Sequence, residues 1–167
     1  MITGGPCTGK TTTIDLLRQK GFRTIGEASR ILIERTLRSG GDLLPWKKPY
    51  EFNVELTRLQ QELEAGAREG VHFLDRGVID NLAYCEWFRI EPPLALKQAV
   101  AQARYGAVFI LLPLPHFEND PVRKESREEA VRLTELLKKA YEGQGYRPID
   151  VPALPARERV EFILRRV

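Results

Sequence analysis

Gly4-Gly5-Pro6-Cys7-Thr8-Gly9-Lys10-Thr11 satisfies the pattern G-x-x-x-x-G-K-[ST] at all its fixed positions, Gly4, Gly9, Lys10 and Thr11. Each fixed position has a physical task. Glycine admits backbone conformations that a Cβ obstructs, so successive N–H groups turn inward and form a nest for an anion. Gly9 opens a helix whose positive N-terminal end faces the same anion. Lys10 has the reach to bridge β- and γ-phosphates, and the Thr11 hydroxyl suits the shell of a magnesium ion. The expectation is a cradle for ATP and Mg²⁺ built from Gly4, Gly5, Pro6, Cys7, Thr8, Gly9, Lys10, Thr11 and Thr12. The alternative, a glycine-rich turn, is disfavoured by context: a strand end precedes the stretch, and a helix carrying Leu16 and Leu17 follows it.

Working outward, apolar periodicity and chain breakers predict short strands alternating with helices. Strands are expected at residues 1–3, 22–26, 71–74, 107–112 and 147–151, and helices at 10–19, 27–38, 50–69, 79–88, 93–105, 127–142 and 156–165. The unbroken apolar run at 107–112 reads as a strand covered by helices on both faces. Such alternation implies an α/β fold, a parallel five-stranded sheet in a three-layer α/β/α sandwich. The first strand is unusually short for one that presents a phosphate loop.

The chain has 167 residues, which suits one domain over residues 1–167. With 43% hydrophobic and 29% charged residues it falls in the globular class, and no apolar run is long enough to span a bilayer. The glycine-rich stretch follows the third residue, leaving no space for a secretory signal, and the two cysteines, Cys7 and Cys85, lack metal-type spacing. A reducing, cytoplasmic setting is expected. A net charge of +3 suits anionic small substrates and does not mark a nucleic-acid binder.

Other candidate residues follow expected strands, where open parallel sheets place their ligands. Asp75, at the end of the third strand and before Arg76-Gly77, reads as a carboxylate in reach of the phosphate or acceptor site, or as a surface turn or helix cap. Glu27, after the second strand, reads as a general base with Arg30 as an anion clamp, or as an ordinary acid at a helix start. Arg123 and Arg127 sit in a charged segment with Lys124 that reads as a water-excluding lid or as a solvated charge run. Trp46, Tyr50, Phe52, Tyr84, Trp87 and Phe88 read as core first and as acceptor-pocket walls second.

Through residues 4–11, Glu27-Ala28-Ser29-Arg30, Phe73-Leu74-Asp75-Arg76-Gly77 and Asp120-Pro121-Val122-Arg123-Lys124, the sequence resembles a family of small AAA-like P-loop ATPases related to nicotinamide riboside and deoxynucleoside kinases. The resemblance spans nearly the whole chain, and its first motif is the specific one. It implies a kinase-type P-loop NTPase sheet of order 2-3-1-4-5. It further implies Glu27 as base, Asp75 and Arg76 as the metal and phosphate pair, Arg123 and Arg127 as lid arginines, and a nucleobase-contacting loop near Val151-Pro152-Ala153. No second arginine lies immediately beside Glu27, and no motif diagnostic of one acceptor base is present.

The function expected from these features is ATP-dependent phosphoryl transfer to a small hydroxyl or phosphate acceptor, nucleoside- or vitamin-like. The rival from another class is a nucleotide-hydrolysing switch. A polynucleotide kinase, which requires a basic groove, ranks third.

Overall fold

The computed structural model describes residues 1–67, 70–114 and 126–167. Along them run β1 (Ile2–Thr3), α1 (Lys10–Gln19), β2 (Arg23–Ile25), α2 (Ala28–Arg38), α3 (Pro49–Ala65) and β3 (His72–Leu74). There follow α4 (Asp80–Phe88), α5 (Leu94–Gln102), β4 (Phe109–Leu111), α6 (Arg127–Gly143), β5 (Ile149–Val151) and α7 (Ala156–Leu164).

Local chemistry sets several of these boundaries. Gly9, at φ 80°, caps α1, and its carbonyl accepts the Thr13 N–H at 3.0 Å. Pro49 opens α3 at the one helical position where a missing N–H costs nothing. At α6, Ser126 and Glu129 form a reciprocal capping box, Glu129 N–H to Ser126 Oγ at 3.2 Å and Ser126 N–H to Glu129 Oε2 at 2.7 Å. Two helices stop earlier than their patterns predict. α3 ends at Ala65, against Gly66. α5 ends at Gln102, because Ala103 is extended and leads to Tyr105, whose hydroxyl donates to Glu64 Oε1 at 2.9 Å and accepts the Val78 N–H at 2.9 Å.

All strand pairs are parallel. β4 lies between β1 and β5, with Ile2 opposite Phe109 and Phe109 opposite Ile149. β2 pairs with β3, Thr24 opposite Phe73. The expected five-stranded sheet therefore takes the form of a three-stranded and a two-stranded sheet. The reason is strand length: with two residues in β1 and three in β3, their contact reduces to one bridge, Ile2 to Asp75, and one bond, Arg76 N–H to Ile2 O at 2.9 Å.

Side chains alternate across the strands, as the two-residue period of a strand dictates. Ile2, Phe73, Phe109, Leu111 and Val151 pack with Ile14 and Leu17 of α1 and Val160 and Ile163 of α7. Leu74 and Val108 pack instead with Ile79 just before α4, Cys85 of α4, Leu96 of α5 and Tyr141 of α6. A separate cluster ties α2 to α3 through Leu32, Ile33, Phe52 and Leu56. Among the described residues no helix is long and apolar enough to cross a membrane.

Gly77 is confined by this packing, since a Cβ there would lie 2.6 Å from the Tyr105 hydroxyl oxygen and 2.7 Å from its ring. Gly77→Ala is expected to displace Tyr105 and cost about 2 kcal/mol. A thermal melt should then show a Tm lower by about 4–8 °C; an unchanged Tm would contradict the packing described.

Candidate functional site

The glycine-rich loop is shaped by contacts from outside it. Gly4 has φ 144°, and a Cβ on it would lie 2.6 Å from the Leu111 carbonyl oxygen. A Cβ on Gly5 would strike the Ala130 carbonyl and lie 2.7 Å from Thr134 Oγ1, which accepts the Gly5 N–H at 3.0 Å. β4 and α6 thus press the loop into place, and only glycine fits between them. Cys7 at φ 56° and Gly9 at φ 80° are left-handed, turns of the kind that bring N–H groups to one side. Lys10 is buried in the loop, its Nζ donating to Gly4 O at 3.0 Å and Gly5 O at 2.6 Å. A loop confined to glycine at Gly4 and Gly5, left-handed turns at Cys7 and Gly9, and a lysine within it fit a polyphosphate.

A second cluster grows from the end of β3. Arg76 holds a left-handed backbone, φ 67°, which costs a non-glycine residue about 1–3 kcal/mol. What over-determines it is visible on every side. Its N–H donates to Ile2 O in β1, its Nε to Glu27 Oε1 at 3.0 Å and its Nη1 to Asp80 Oδ1 at 3.3 Å, and its guanidinium lies 5.3 Å from the Tyr84 ring centroid. Burial opposes the charge, but Tyr84, Glu27, Asp80 and Asp75 outweigh it and raise the guanidinium pKa above its ordinary value. Asp80, fully buried, also accepts from Thr3 Oγ1, from Tyr141 OH at 2.5 Å and from the Gly77 N–H at 3.2 Å. Burial first, and then Asp80, push the Tyr141 phenol well above its usual pKa, so it remains a donor.

Glu27 is the last residue before α2. Its carboxylate takes Arg76 on one oxygen together with the Ser29 hydroxyl at 2.7 Å, while Arg30 Nε lies 3.8 Å from the other. Next to this pair opens a cavity of about 580 Å³, within the range of small-molecule sites. Trp46, Phe52, Tyr84, Trp87 and Phe88 line it, with Ser29, Asn53, Arg76, Asn81 and Glu129 as polar members. Arg132 stacks over Trp87 at 5.5 Å and steadies that wall.

The structure therefore brings Glu27, Arg30 and Arg76 together, and places Asp75 beside them at the bridge to Ile2. Lys10 and Pro6 are buried in the loop, and Thr11 and Thr12 are exposed in the first turn of α1. Arg127 is exposed in the first turn of α6, and Arg123 lies outside the described residues, as does nearly all of the charged segment around it. Five of the six aromatics line the cavity; Tyr50 does not. Among the described residues no three His, Cys, Asp or Glu side chains are grouped to hold a metal ion. A magnesium ion at Thr11 and Asp75 would thus draw most of its ligands from phosphate and water.

Sequence reading missed Asp80, Thr3, Tyr141 and Thr134. One signal was available: Asp80 stands four residues after Arg76, the spacing of a helical ion pair. The others reach the site only through tertiary contacts.

Replacing Arg76 by Met should leave Glu27 and Asp80 buried without their shared cation and lower the unfolding free energy by about 3–5 kcal/mol. Urea denaturation measures this. Combining it with Glu27→Gln should recover part of the loss, and strict additivity would argue against the pairing.

The family described as "AAA domain" matches residues 1–159. No curated protein matches the chain. With the glycine-rich loop and its lysine, that match over nearly the full length shows that the chain belongs to the AAA domain family of nucleotide-binding P-loop proteins.

Proposed function

We propose that this protein is an ATP-dependent small-molecule kinase whose acceptor is a compact ring-bearing molecule, nucleoside- or vitamin-like, with a free hydroxyl. The observation that carries it is the aromatic-walled cavity lined by Arg76, the partner of Glu27. A protein that only hydrolyses nucleotide has no need of an aromatic-walled cavity beside its carboxylate–arginine pair. α6 ties the chamber to the loop: Glu129 lines the chamber, and the adjacent Ala130 presses its carbonyl on Gly5.

In this reading the loop residues 4–12 hold the phosphates of ATP, with Lys10 balancing charge on the transferred group. Magnesium, held by Thr11 and Asp75, neutralises the phosphate oxygens when bound. Glu27 accepts the proton of the acceptor hydroxyl as its oxygen bonds to the γ-phosphorus and the bond to the β–γ bridging oxygen breaks, releasing ADP. Arg76 fixes the Glu27 carboxylate, and Arg30 sits at its more open side for a polar or anionic substituent. Arg127, with Arg123, supplies lid charge that excludes water and lets the acceptor win over hydrolysis.

The remaining architecture is read in the same way. β2-β3 and β1-β4-β5, joined at Ile2 and Asp75, form one sheet of order 2-3-1-4-5 with helices on both faces, a three-layer sandwich in a single domain over residues 1–167. The two free cysteines suit a reducing cytoplasm.

Incubation with γ-labelled ATP and a panel of nucleosides, vitamins and short oligonucleotides tests the function. Label is expected in a small neutral acceptor, with ATP consumption dependent on that acceptor, and Lys10→Ala should lose about 100-fold or more in turnover. Release of phosphate alone, at a rate indifferent to every acceptor, would sink the kinase reading in favour of a hydrolytic switch; label on oligonucleotide ends would redirect it to nucleic acid.

A further inference from the structure

Arg159 of α7 is, among the described residues, the largest side chain that is fully buried, at 1% exposure. Its Nη1 donates to the Thr8 carbonyl, in the middle of the phosphate loop, and its Nη2 to the Leu112 carbonyl at 2.9 Å, just past the end of β4. Its Nε is buried with no hydrogen-bond partner, and among the described residues no carboxylate pairs with it. Burial lowers its pKa from the usual arginine value. Among the described residues its hydrogen-bond partners are neutral carbonyls alone, and a buried guanidinium so placed is costly.

The covalent geometry of that loop gives the arginine a second effect. The described chain has no cis peptide bonds, so the Thr8–Gly9 unit is planar and trans, and its C=O and N–H point in opposite directions. Holding Thr8 O on Arg159 therefore turns the Gly9 N–H away from Arg159. A Cβ built on Gly9 would lie 3.6 Å from Arg159 Nη1, so the charge sits against the backbone of the loop.

We propose that Arg159 is a positioning residue of the nucleotide site, which orients the Thr8–Gly9 peptide toward the polyphosphate and whose buried charge, met among the described residues by carbonyls alone, is balanced when that polyphosphate binds. This rests on nucleotide binding, and holds whether the transferred phosphoryl goes to an acceptor or to water.

Calorimetric titration of the full chain with inorganic tripolyphosphate and with ADP, each with magnesium, tests it on wild type, Arg159→Met and Arg159→Lys. Arg159→Met should weaken both ligands about 10- to 100-fold and shrink the rise in Tm that tripolyphosphate produces. Arg159→Lys keeps the charge but not the two-pronged grip, so its affinity should lie between the two. A purely structural role would lower the Tm of the ligand-free protein yet leave tripolyphosphate affinity within twofold of wild type, and that result overturns the proposal. If Arg159→Met does not fold, Arg159→Lys decides: wild-type affinity for tripolyphosphate overturns the proposal, and a loss of about threefold or more supports it. Acceptor labelling by the wild type is scored separately, so failure of the kinase reading leaves this outcome legible.

Discussion

The buried Arg76 guanidinium, clasped between Glu27 and Asp80, is the interaction on which the rest of the site depends. A carboxylate can sit buried at the start of α2 only if a cation meets it there. Arg76 meets two carboxylates at once, and Asp80 in turn gathers Thr3 of β1, the Gly77 N–H and Tyr141 of α6. Strand, loop and two helices are therefore tied to one charge. The left-handed backbone at Arg76 is what aims the side chain into this position, and the bond from its N–H to Ile2 O anchors it to the strand that delivers the phosphate loop.

Around the loop itself the constraint is steric before it is electrostatic. Leu111 presses on Gly4 and Ala130 on Gly5, so the cradle is moulded by a neighbouring strand and by a helix distant in sequence. Those two contacts remove conformational freedom that a glycine-rich stretch otherwise keeps, and preorganisation of this kind strengthens anion binding. Thr134 adds a hydrogen bond to the Gly5 N–H, with its own hydroxyl donating to Ala130 O at 2.8 Å. Gly5 is thus held by the same turn of α6 whose Glu129 lines the aromatic chamber.

The element boundaries were legible because local rules and tertiary contacts agree over most of the chain. α1 and α2 close at Gln19 and Arg38 as their patterns predict, since periodicity and breakers speak together there. They diverge at α5, where Tyr105 is drawn out of the helix to reach Glu64 and Val78, partners supplied by other elements. Aromatic residues read as core first, and the outcome is mixed in a physically sensible way. Phe52 is buried in the α2–α3 cluster and also faces the chamber, whereas Trp46 lies at the chamber with 55% of its surface exposed.

By itself the sequence determined the phosphate cradle, the alternation of strands and helices, and the acid positions Glu27 and Asp75 at strand ends, because these are short-range properties fixed by residue type and spacing. Only the tertiary structure decided that Arg76 pairs with Glu27 across 49 positions of chain, that Asp80 is the buried hub, and that Arg159 reaches Thr8 across 151. No local pattern encodes such pairs. A charged side chain in a helix is read as solvated until packing removes the water around it, and its partner is then whichever polar group the fold has brought within reach.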